Sequence, residues 1–213
     1  MSKSICIFGE SGAGKTTSIR TLLPQETYYI DADKKGLSWR GWREQYSTEK
    51  NNYFKCADAT KIKAYVGNIA QKAPHIKNII IDTINGVMIT DEMKRSKEKG
   101  FDKWIDLATC IWDLIDVSTD FREDLTIVFM AHAQTERDDS GYEWTRIKTS
   151  GKKLDKIVLE SKFTTVLLAK CVDGKYLFET QSKNSTAKSP MGAFEELEIE
   201  NDLNFVIKSL QDF

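Results

Sequence analysis

The stretch from Gly9 to Thr16, which reads Gly-Glu-Ser-Gly-Ala-Gly-Lys-Thr, constrains the fold more strongly than any other part of this sequence. It matches G-x-x-x-x-G-K-[ST], the spacing of a loop that binds phosphate through its backbone. The apolar residues 5–8 before it are typical of a buried strand, and the residues after it predict a helix through about Leu23 that ends at Pro24. This order of strand, loop and helix is the setting that the motif requires.

Each part of the loop contributes to the binding of a nucleoside triphosphate. Glycines allow the backbone to curl tightly, so that successive N–H groups point at an anion at the start of a helix. Lys15 supplies an ammonium group for the β- and γ-phosphates, and the hydroxyl of Thr16 is placed to ligate the Mg²⁺ that accompanies them. The predicted nucleotide-binding residues of this stretch are Gly9, Glu10, Ser11, Gly12, Ala13, Gly14, Lys15, Thr16 and Thr17.

Length and composition favour one domain in the cytoplasm. The 213 residues include no Pro/Gly/Ser-rich linker, internal repeat or low-complexity tract, and only three prolines. The net charge of −1 does not indicate a nucleic-acid-binding protein, so a surface of that kind would have to be local. The four cysteines form no C-x-x-C pair, which favours reduced thiols, and no apolar run approaches the length of a membrane span. We therefore expect a soluble cytoplasmic protein without a membrane partner.

The alternation of strand-like and helix-like patterns predicts an α/β fold. The predicted strands are residues 4–8, 28–30, 52–56, 78–83, 125–131, 163–169 and 176–178. The predicted helices after the loop are one from about residue 87 and those over residues 61–72, 103–119, 152–160 and 202–210. Residues 134–148, with Asp-Ser-Gly near their middle, predict a β-hairpin. Together these elements predict a mostly parallel, doubly wound sheet with antiparallel edge strands.

Carboxylates at the ends of two predicted strands are candidates for catalysis and metal binding. Asp82 follows the fully apolar residues 79–81, and it is the candidate for holding Mg²⁺ together with Thr16, directly or through water. Hydrolysis also needs a group that orients or deprotonates the attacking water. Asp33 could reach that position from the end of the second strand, whereas Asp31 is the alternative and could instead cap the turn.

Two polar residues after the apolar run 125–131 are candidates for contact with the γ-phosphate. His132 and Gln134 could each form a hydrogen bond to the γ-phosphate or its water, and so report the nucleotide state to the hairpin that follows. The candidate catalytic residues are therefore Lys15, Asp33, Asp82 and His132. With His75 as the only other histidine, the sequence contains no zinc motif.

The order of these pieces resembles the RecA-like ATPase core. The residues that carry this resemblance are the phosphate loop, then Tyr29-Ile30-Asp31-Ala32-Asp33, Asp82-Thr83 and His132-Ala133-Gln134. More closely, the sequence is similar to phage-encoded RecA-like nucleotide-binding proteins of recombination and single-strand annealing, through residues 79–83, 129–132, 148–153 and 188–190. The similarity extends from about residue 4 to residue 210, with one departure: RecA has a glutamate at the position of Asp33.

The resemblance also implies a domain organisation, a set of ligands and a set of partners. It implies one RecA-like ATPase domain over residues 1–213, with a core at about 4–170 and a C-terminal hairpin and acidic helical segment at about 171–213. It also implies ATP with Mg²⁺ at an interface between subunits, where Lys152 or Lys153 of a neighbour, or else Lys188, would reach the γ-phosphate. The same lysines and loop 135–149 would bind single-stranded DNA, with Tyr142 or Trp144 for stacking on bases.

Three other classes of function share a phosphate loop. A small-molecule or nucleotide kinase is the first alternative, although the sequence has no arginine-rich lid segment and no obvious acceptor site. A GTP-dependent switch is disfavoured, because Leu-Leu-Ala-Lys-Cys stands at residues 167–171 in place of a guanine-reading N-K-x-D element. The balanced net charge keeps open a third alternative, an assembly adaptor that binds nucleotide without binding DNA.

Overall fold

A computed structural model describes residues 1–99, 102–149 and 158–213 of the chain. The strands are β1 (Lys3–Gly9), β2 (Thr27–Asp31), β3 (Tyr53–Lys55), β4 (Asn78–Asp82), β5 (Thr126–Arg137), β6 (Glu143–Ile147), β7 (Thr165–Val172), β8 (Lys175–Glu179) and β9 (Glu198–Glu200). They form a nine-stranded sheet in the order β3-β2-β4-β5-β1-β7-β8-β9, and β6 pairs with β5 outside this path. The strands from β3 to β7 in that order run parallel, whereas β6, β8 and β9 pair antiparallel.

Helices cover both faces of this sheet. The α-helices are α1 (Trp42–Gln45), α2 (Ala59–Lys72), α3 (Ile84–Lys94), α4 (Asp102–Val117) and α5 (Leu203–Ser209). Apolar side chains of α2, α3 and α4 pack in one core with residues of β4 and β5, and those of α5 pack in a second core with residues of β1 and β7. The α/β fold with a mostly parallel sheet and antiparallel edge strands is therefore confirmed.

Caps and buried strands explain why the sequence forms these elements. The carboxylates of Asp58 and Asp202 accept hydrogen bonds from backbone N–H groups in the first turns of α2 and α5, and the hydroxyl of Thr83 does the same for α3. All five residues of β4 are buried, as expected for a central strand whose two faces are covered by helices. These local signals bring the carboxyl ends of β1, β2, β4 and β5 to one edge of the sheet.

The predicted helix through Leu23 is wrong in type and length. Residues Thr16–Thr21 form a 3₁₀ helix of six residues, and another 3₁₀ turn begins at Pro24. The side-chain hydroxyl of Ser18 donates to the carbonyl of Lys15, and that of Thr21 donates to the carbonyl of Ser18. Because such side-chain bonds compete with the α-helical pattern of backbone bonds, the Ser/Thr-rich segment forms tighter turns.

The strand that carries His132 is longer than predicted. Residues 126–131 of the apolar run form only the first half of β5, which continues through His132 and Gln134 to Arg137. Residues from Ala133 onward pair with β6, so their backbone groups are satisfied beyond the parallel part of the sheet. His132 and Gln134 thus lie within a strand and not after its end, and the predicted hairpin at residues 134–148 is confirmed.

Some predicted elements differ in extent or lie outside the described residues. Most of the helix predicted over residues 152–160 falls in residues 150–157, outside the described part of the chain, and the described residues Leu159–Lys162 form a 3₁₀ helix. Strand β9 has no counterpart in the predictions. In the described ranges, no helix is long and apolar enough to cross a membrane. Strand β7 runs across residue 170, and the division of the domain near that residue stays a prediction.

Candidate functional site

The phosphate loop curls tightly between β1 and the first 3₁₀ helix. Gly12 and Gly14 have φ angles of +83° and +91°, in the left-handed region that favours glycine. The Lys15 ammonium folds back along the loop, because its Nζ donates to the carbonyls of Gly9 at 2.7 Å and Glu10 at 2.8 Å. Burial lowers the pKa of Lys15 to about 8, although the carboxylate of Asp82 opposes this shift. A strongly desolvated cation therefore lies at the loop.

Strands β7 and β8 form a back wall behind the loop. A Cβ atom added at Gly9 would lie 2.5 Å from the carbonyl oxygen of Ala169, and one at Gly14 would lie 2.7 Å from Cδ1 of Tyr176. Neither position therefore accommodates a side chain without movement of its neighbours. On the same side, Arg20 donates from Nη1 to the backbone oxygen of Asn201 at 2.9 Å. The loop is consequently braced by residues from the last third of the chain.

The structure brings Thr16 and Asp82 into direct contact. The Thr16 hydroxyl donates to Oδ2 of Asp82 at 2.5 Å, and the Tyr29 hydroxyl donates to the same oxygen at 2.9 Å. The other carboxylate oxygen, Oδ1, is buried and accepts no hydrogen bond from the described residues. Burial raises the pKa of Asp82, while the ammonium of Lys35 lowers it in part. A hydroxyl and a carboxylate oxygen fit Mg²⁺, which prefers oxygen ligands, so Thr16 and Asp82 are the residues that would hold it.

Asp31 anchors the turn that follows β2. Its buried carboxylate accepts hydrogen bonds at Oδ2 from the Tyr53 hydroxyl at 2.6 Å and from the backbone N–H of Gly36 at 2.8 Å. Oδ1 accepts from the backbone N–H of Lys35 at 3.2 Å. Within this turn Lys34 has a φ of +59°, in the left-handed region. Asp31 therefore caps the turn, which is the second of the two roles considered for it. Asp33 is the carboxylate of this turn that lies near the phosphate loop.

Asp33 lies among three polar side chains from different elements. Its Oδ1 accepts from the hydroxyl of Thr83 at 3.0 Å, and its Oδ2 pairs with Nζ of Lys35 at 2.7 Å. Nε2 of His132 is 3.9 Å from the same Oδ2. The structure therefore brings together Asp33 and His132, as the sequence predicted. The structure also places Lys35 in this cluster, which the sequence analysis missed. The sequence signal for it was only that a lysine stands two residues after the candidate base Asp33.

His132 is fixed through its backbone by Asn85 of α3. The His132 N–H donates to Oδ1 of Asn85 at 2.7 Å, and Nδ2 of Asn85 donates to the carbonyl of Lys148 at 2.7 Å. This bridge ties β5 to the residue that follows β6, close to the phosphate loop. Burial, and next the charge of Lys15, lower the pKa of His132, so its imidazole is neutral at pH 7.

Two other predicted ligands, Gln134 and Thr17, have polar partners outside this cluster, and two more lie outside the described residues. Nε2 of Gln134 donates to Glu136 at 2.9 Å, so its amide takes part in the hairpin network. The hydroxyl of Thr17 is exposed and lies 3.0 Å from that of Ser38. Lys152 and Lys153 are not among the described residues, and their role stays a prediction.

The fold and the loop geometry define a class of protein. A parallel sheet with a phosphate loop after β1, and an adjacent Thr–Asp pair, is the arrangement of a P-loop nucleoside triphosphatase. Sequence comparison narrows this class: residues 1–191 match an AAA domain family, and the chain belongs to that family. No curated protein sequence matches the chain. The family consists of P-loop ATPase domains, so nucleotide binding follows from both geometry and family.

Gly86 of α3 sets the space that Asp33 occupies. A Cβ added at Gly86 would lie 2.3 Å from Oδ1 of Asp33 and 3.0 Å from the carbonyl oxygen of Ala32. We therefore expect Gly86→Ala to displace the Asp33 carboxylate and to reduce the free energy of unfolding by about 1–3 kcal/mol. Because Asp33 is the predicted base, ATP hydrolysis should slow by about tenfold or more. Steady-state kinetics and urea unfolding measure the two effects.

Gly67→Ala in α2 is the matched control for this substitution. A Cβ at Gly67 meets no atom within 4 Å. The free energy of unfolding should therefore rise by about 0.5–1 kcal/mol, because alanine has less backbone freedom to lose on folding than glycine. ATP hydrolysis should be unchanged. If Gly86→Ala hydrolyses ATP as fast as the wild type, the predicted role of Asp33 in hydrolysis is wrong.

Proposed function

We propose that this protein is a RecA-like ATPase that binds ATP with Mg²⁺ and hydrolyses it while acting on single-stranded DNA in phage recombination or repair. The observation that supports the ATPase reaction most directly is the contact of Thr16 with Asp82 beside the buried Lys15. The register supports the role of His132, which lies opposite Gly9, while Met130, two residues earlier in the same strand, lies opposite Asp82. His132 therefore stands between the phosphate loop and the candidate metal ligand.

Hydrolysis needs a nucleophile, a base and stabilisation of the phosphate charge. In the proposed reaction, the oxygen of a water molecule bonds to the γ-phosphorus, and the bond from that atom to the β–γ bridging oxygen breaks to release ADP. Asp33 accepts the proton of the water, and neutral His132 can orient that water. Lys15 donates hydrogen bonds to the phosphate oxygens. Mg²⁺, when bound, supplies further neutralisation of the phosphate charge.

An aromatic pair on the β5–β6 hairpin supports the proposed binding of single-stranded DNA. The rings of Tyr142 and Trp144 are nearly parallel, with an interplanar angle of 18° and centroids 6.1 Å apart. Tyr142 is 52% exposed, and Trp144 is half-buried. Flat exposed aromatic rings are the platforms on which proteins stack unpaired bases without strong sequence preference.

The phosphate contacts of this DNA site are assigned to lysines that follow the second strand of the hairpin. Charges of the hairpin itself are largely paired, as in the ion pairs Arg137–Glu143 and Arg146–Glu136. The exposed Lys148 and the predicted ligands Lys152 and Lys153 follow directly in sequence. In the proposal, these lysines bind the DNA backbone, and Lys152 or Lys153 of a neighbouring subunit reaches the γ-phosphate, which makes the active form an oligomer.

Binding of fluorescent oligo-dT tests the DNA part of the proposal. We expect salt-sensitive binding in the presence of ATP, because released counterions drive contacts to DNA phosphates. The double variant Lys152→Ala/Lys153→Ala should lose most of this binding, and Trp144→Ala should weaken it by about 5- to 100-fold, the usual effect of removing one stacking ring. Fluorescence anisotropy across a salt series measures both.

The matched control removes two charges elsewhere. Lys61→Ala/Lys63→Ala alters the exposed face of α2 by the same net charge and should leave oligo-dT affinity unchanged. If the wild type gives no anisotropy change at low salt while ATP still binds, the proposed binding of single-stranded DNA is wrong. The protein is then a nucleotide-binding adaptor.

A further inference from the structure

Lys35 is held beside the phosphate loop by a turn whose backbone is fixed from within the protein. Its backbone N–H donates to the buried carboxylate of Asp31, which also accepts from Gly36. The preceding residue, Lys34, has the left-handed φ of +59°, and it is exposed. Left-handed backbone at a residue with a side chain costs free energy and persists where the surroundings impose it. The turn therefore fixes where the Lys35 side chain begins.

The ammonium of Lys35 belongs to the electrostatic cluster of the site. It pairs with Oδ2 of Asp33 at 2.7 Å, and its side chain is 47% exposed. Burial lowers the pKa of Lys35, but the carboxylates of Asp82, Asp33 and Asp31 together outweigh this and raise it. Its charge in turn lowers the pKa of Lys15, the principal phosphate ligand. The ion pair with Asp33 also places Lys35 next to His132, which lies opposite Gly9 of the phosphate loop.

We propose that Lys35 is a second lysine ligand of the γ-phosphate, supplied by the same subunit, which exchanges its ion pair with Asp33 for the γ-phosphate when ATP binds. This inference rests on the proposed ATPase function. The γ-phosphate carries more negative charge than one carboxylate, and lysine has a flexible stem with three donors, so the exchange needs only rotation of a half-exposed side chain.

The exchange also frees the candidate base. Both oxygens of Asp33 have partners, Thr83 at Oδ1 and Lys35 at Oδ2, and Oδ2 is the oxygen nearest Nε2 of His132. Departure of the ammonium leaves Oδ2 available to accept a hydrogen bond from the attacking water. ATP binding and preparation of the base are thus one event, and ADP, which has no γ-phosphate, does not trigger it.

Calorimetric affinities for ADP and for the β–γ-imido analogue of ATP, both with Mg²⁺, test the exchange. Lys35→Ala should weaken binding of the analogue by about 10- to 100-fold, the range for one charge-assisted hydrogen bond, and should change ADP binding less than twofold. Lys35→Arg, which keeps the charge, should restore most of the preference for the analogue. Lys34→Asn removes the adjacent charge and tolerates the left-handed backbone, so it should bind both nucleotides as the wild type does.

Each contrary result has a distinct meaning. If Lys35→Ala binds the analogue and ADP with wild-type affinities, Lys35 serves only Asp33 and the exchange is refuted. If Lys34→Asn lowers analogue affinity as much as Lys35→Ala does, the effect is one of general charge, and the specific contact is refuted as well. If the wild type binds neither nucleotide, the proposed ATPase function itself fails, and this inference fails with it.

Discussion

Lys15→Ala is expected to reduce the affinity for ATP by about 10²- to 10⁴-fold, which abolishes binding at ordinary concentrations. The ammonium that donates to Gly9 and Glu10 in the loop is the group that would turn to the phosphates. Two charge-assisted hydrogen bonds of about 1.5–3 kcal/mol each account for this range. Isothermal titration calorimetry with ATP and Mg²⁺ measures the loss, and unchanged affinity would refute the assignment of the phosphate loop.

Lys3→Ala is the matched control for Lys15→Ala. Nζ of Lys3 also donates to two backbone carbonyls, those of Leu210 and Gln211, both at 2.6 Å. Its removal therefore costs the fold a similar pair of bonds, and ATP affinity should stay at the wild-type value. A loss of affinity in both variants would indicate that Lys15→Ala acts through stability and not through the nucleotide.

Asp33→Asn is expected to slow ATP hydrolysis by about 10²- to 10⁴-fold while ATP still binds, because an amide cannot accept the proton of the attacking water. The amide keeps the size of the side chain and can still accept from Thr83. Single-turnover hydrolysis measures the chemical step, and calorimetry with the β–γ-imido analogue measures binding. Hydrolysis at the wild-type rate would remove Asp33 from the catalytic residues.

Asp31→Asn separates the two carboxylates that follow β2. Asp31 is completely buried and accepts from Tyr53, Lys35 and Gly36, so its loss should lower the free energy of unfolding by about 1–3 kcal/mol. Its effect on the hydrolysis of bound ATP should be much smaller than that of Asp33→Asn. The reverse order of effects would make Asp31 the base.

Much of this architecture could be predicted because it depends on local sequence. The runs at β1 and β4 are apolar at successive positions because both faces of these strands are buried, and that pattern is visible without a structure. The loop spacing and the position of Asp82 at a strand end then place Thr16 and Asp82 together. These are consequences of hydrophobic patterning and of parallel strands ending at one edge.

The remaining features depend on contacts between distant residues, which a pattern does not encode. Lys35 reaches Asp33 only because the buried Asp31 carboxylate shapes the turn between them. The second half of β5 is polar and partly exposed, and it is a strand because β6 pairs with it. Strand β9, with the sequence Glu-Ile-Glu, has too few apolar positions to be distinguished from a loop.

The back wall of the phosphate loop has a consequence for the order in which the protein matures. The motif itself is complete after Thr16, but its supports at Ala169, Tyr176 and Asn201 come from the far end of the sequence; Arg20 and Asn201 are 181 positions apart. Since a ribosome releases the chain from its N-terminus, a nascent chain carries the nucleotide motif long before it carries the nucleotide site. The braced form of the phosphate loop can therefore assemble only after the residues through Asn201 have left the ribosome.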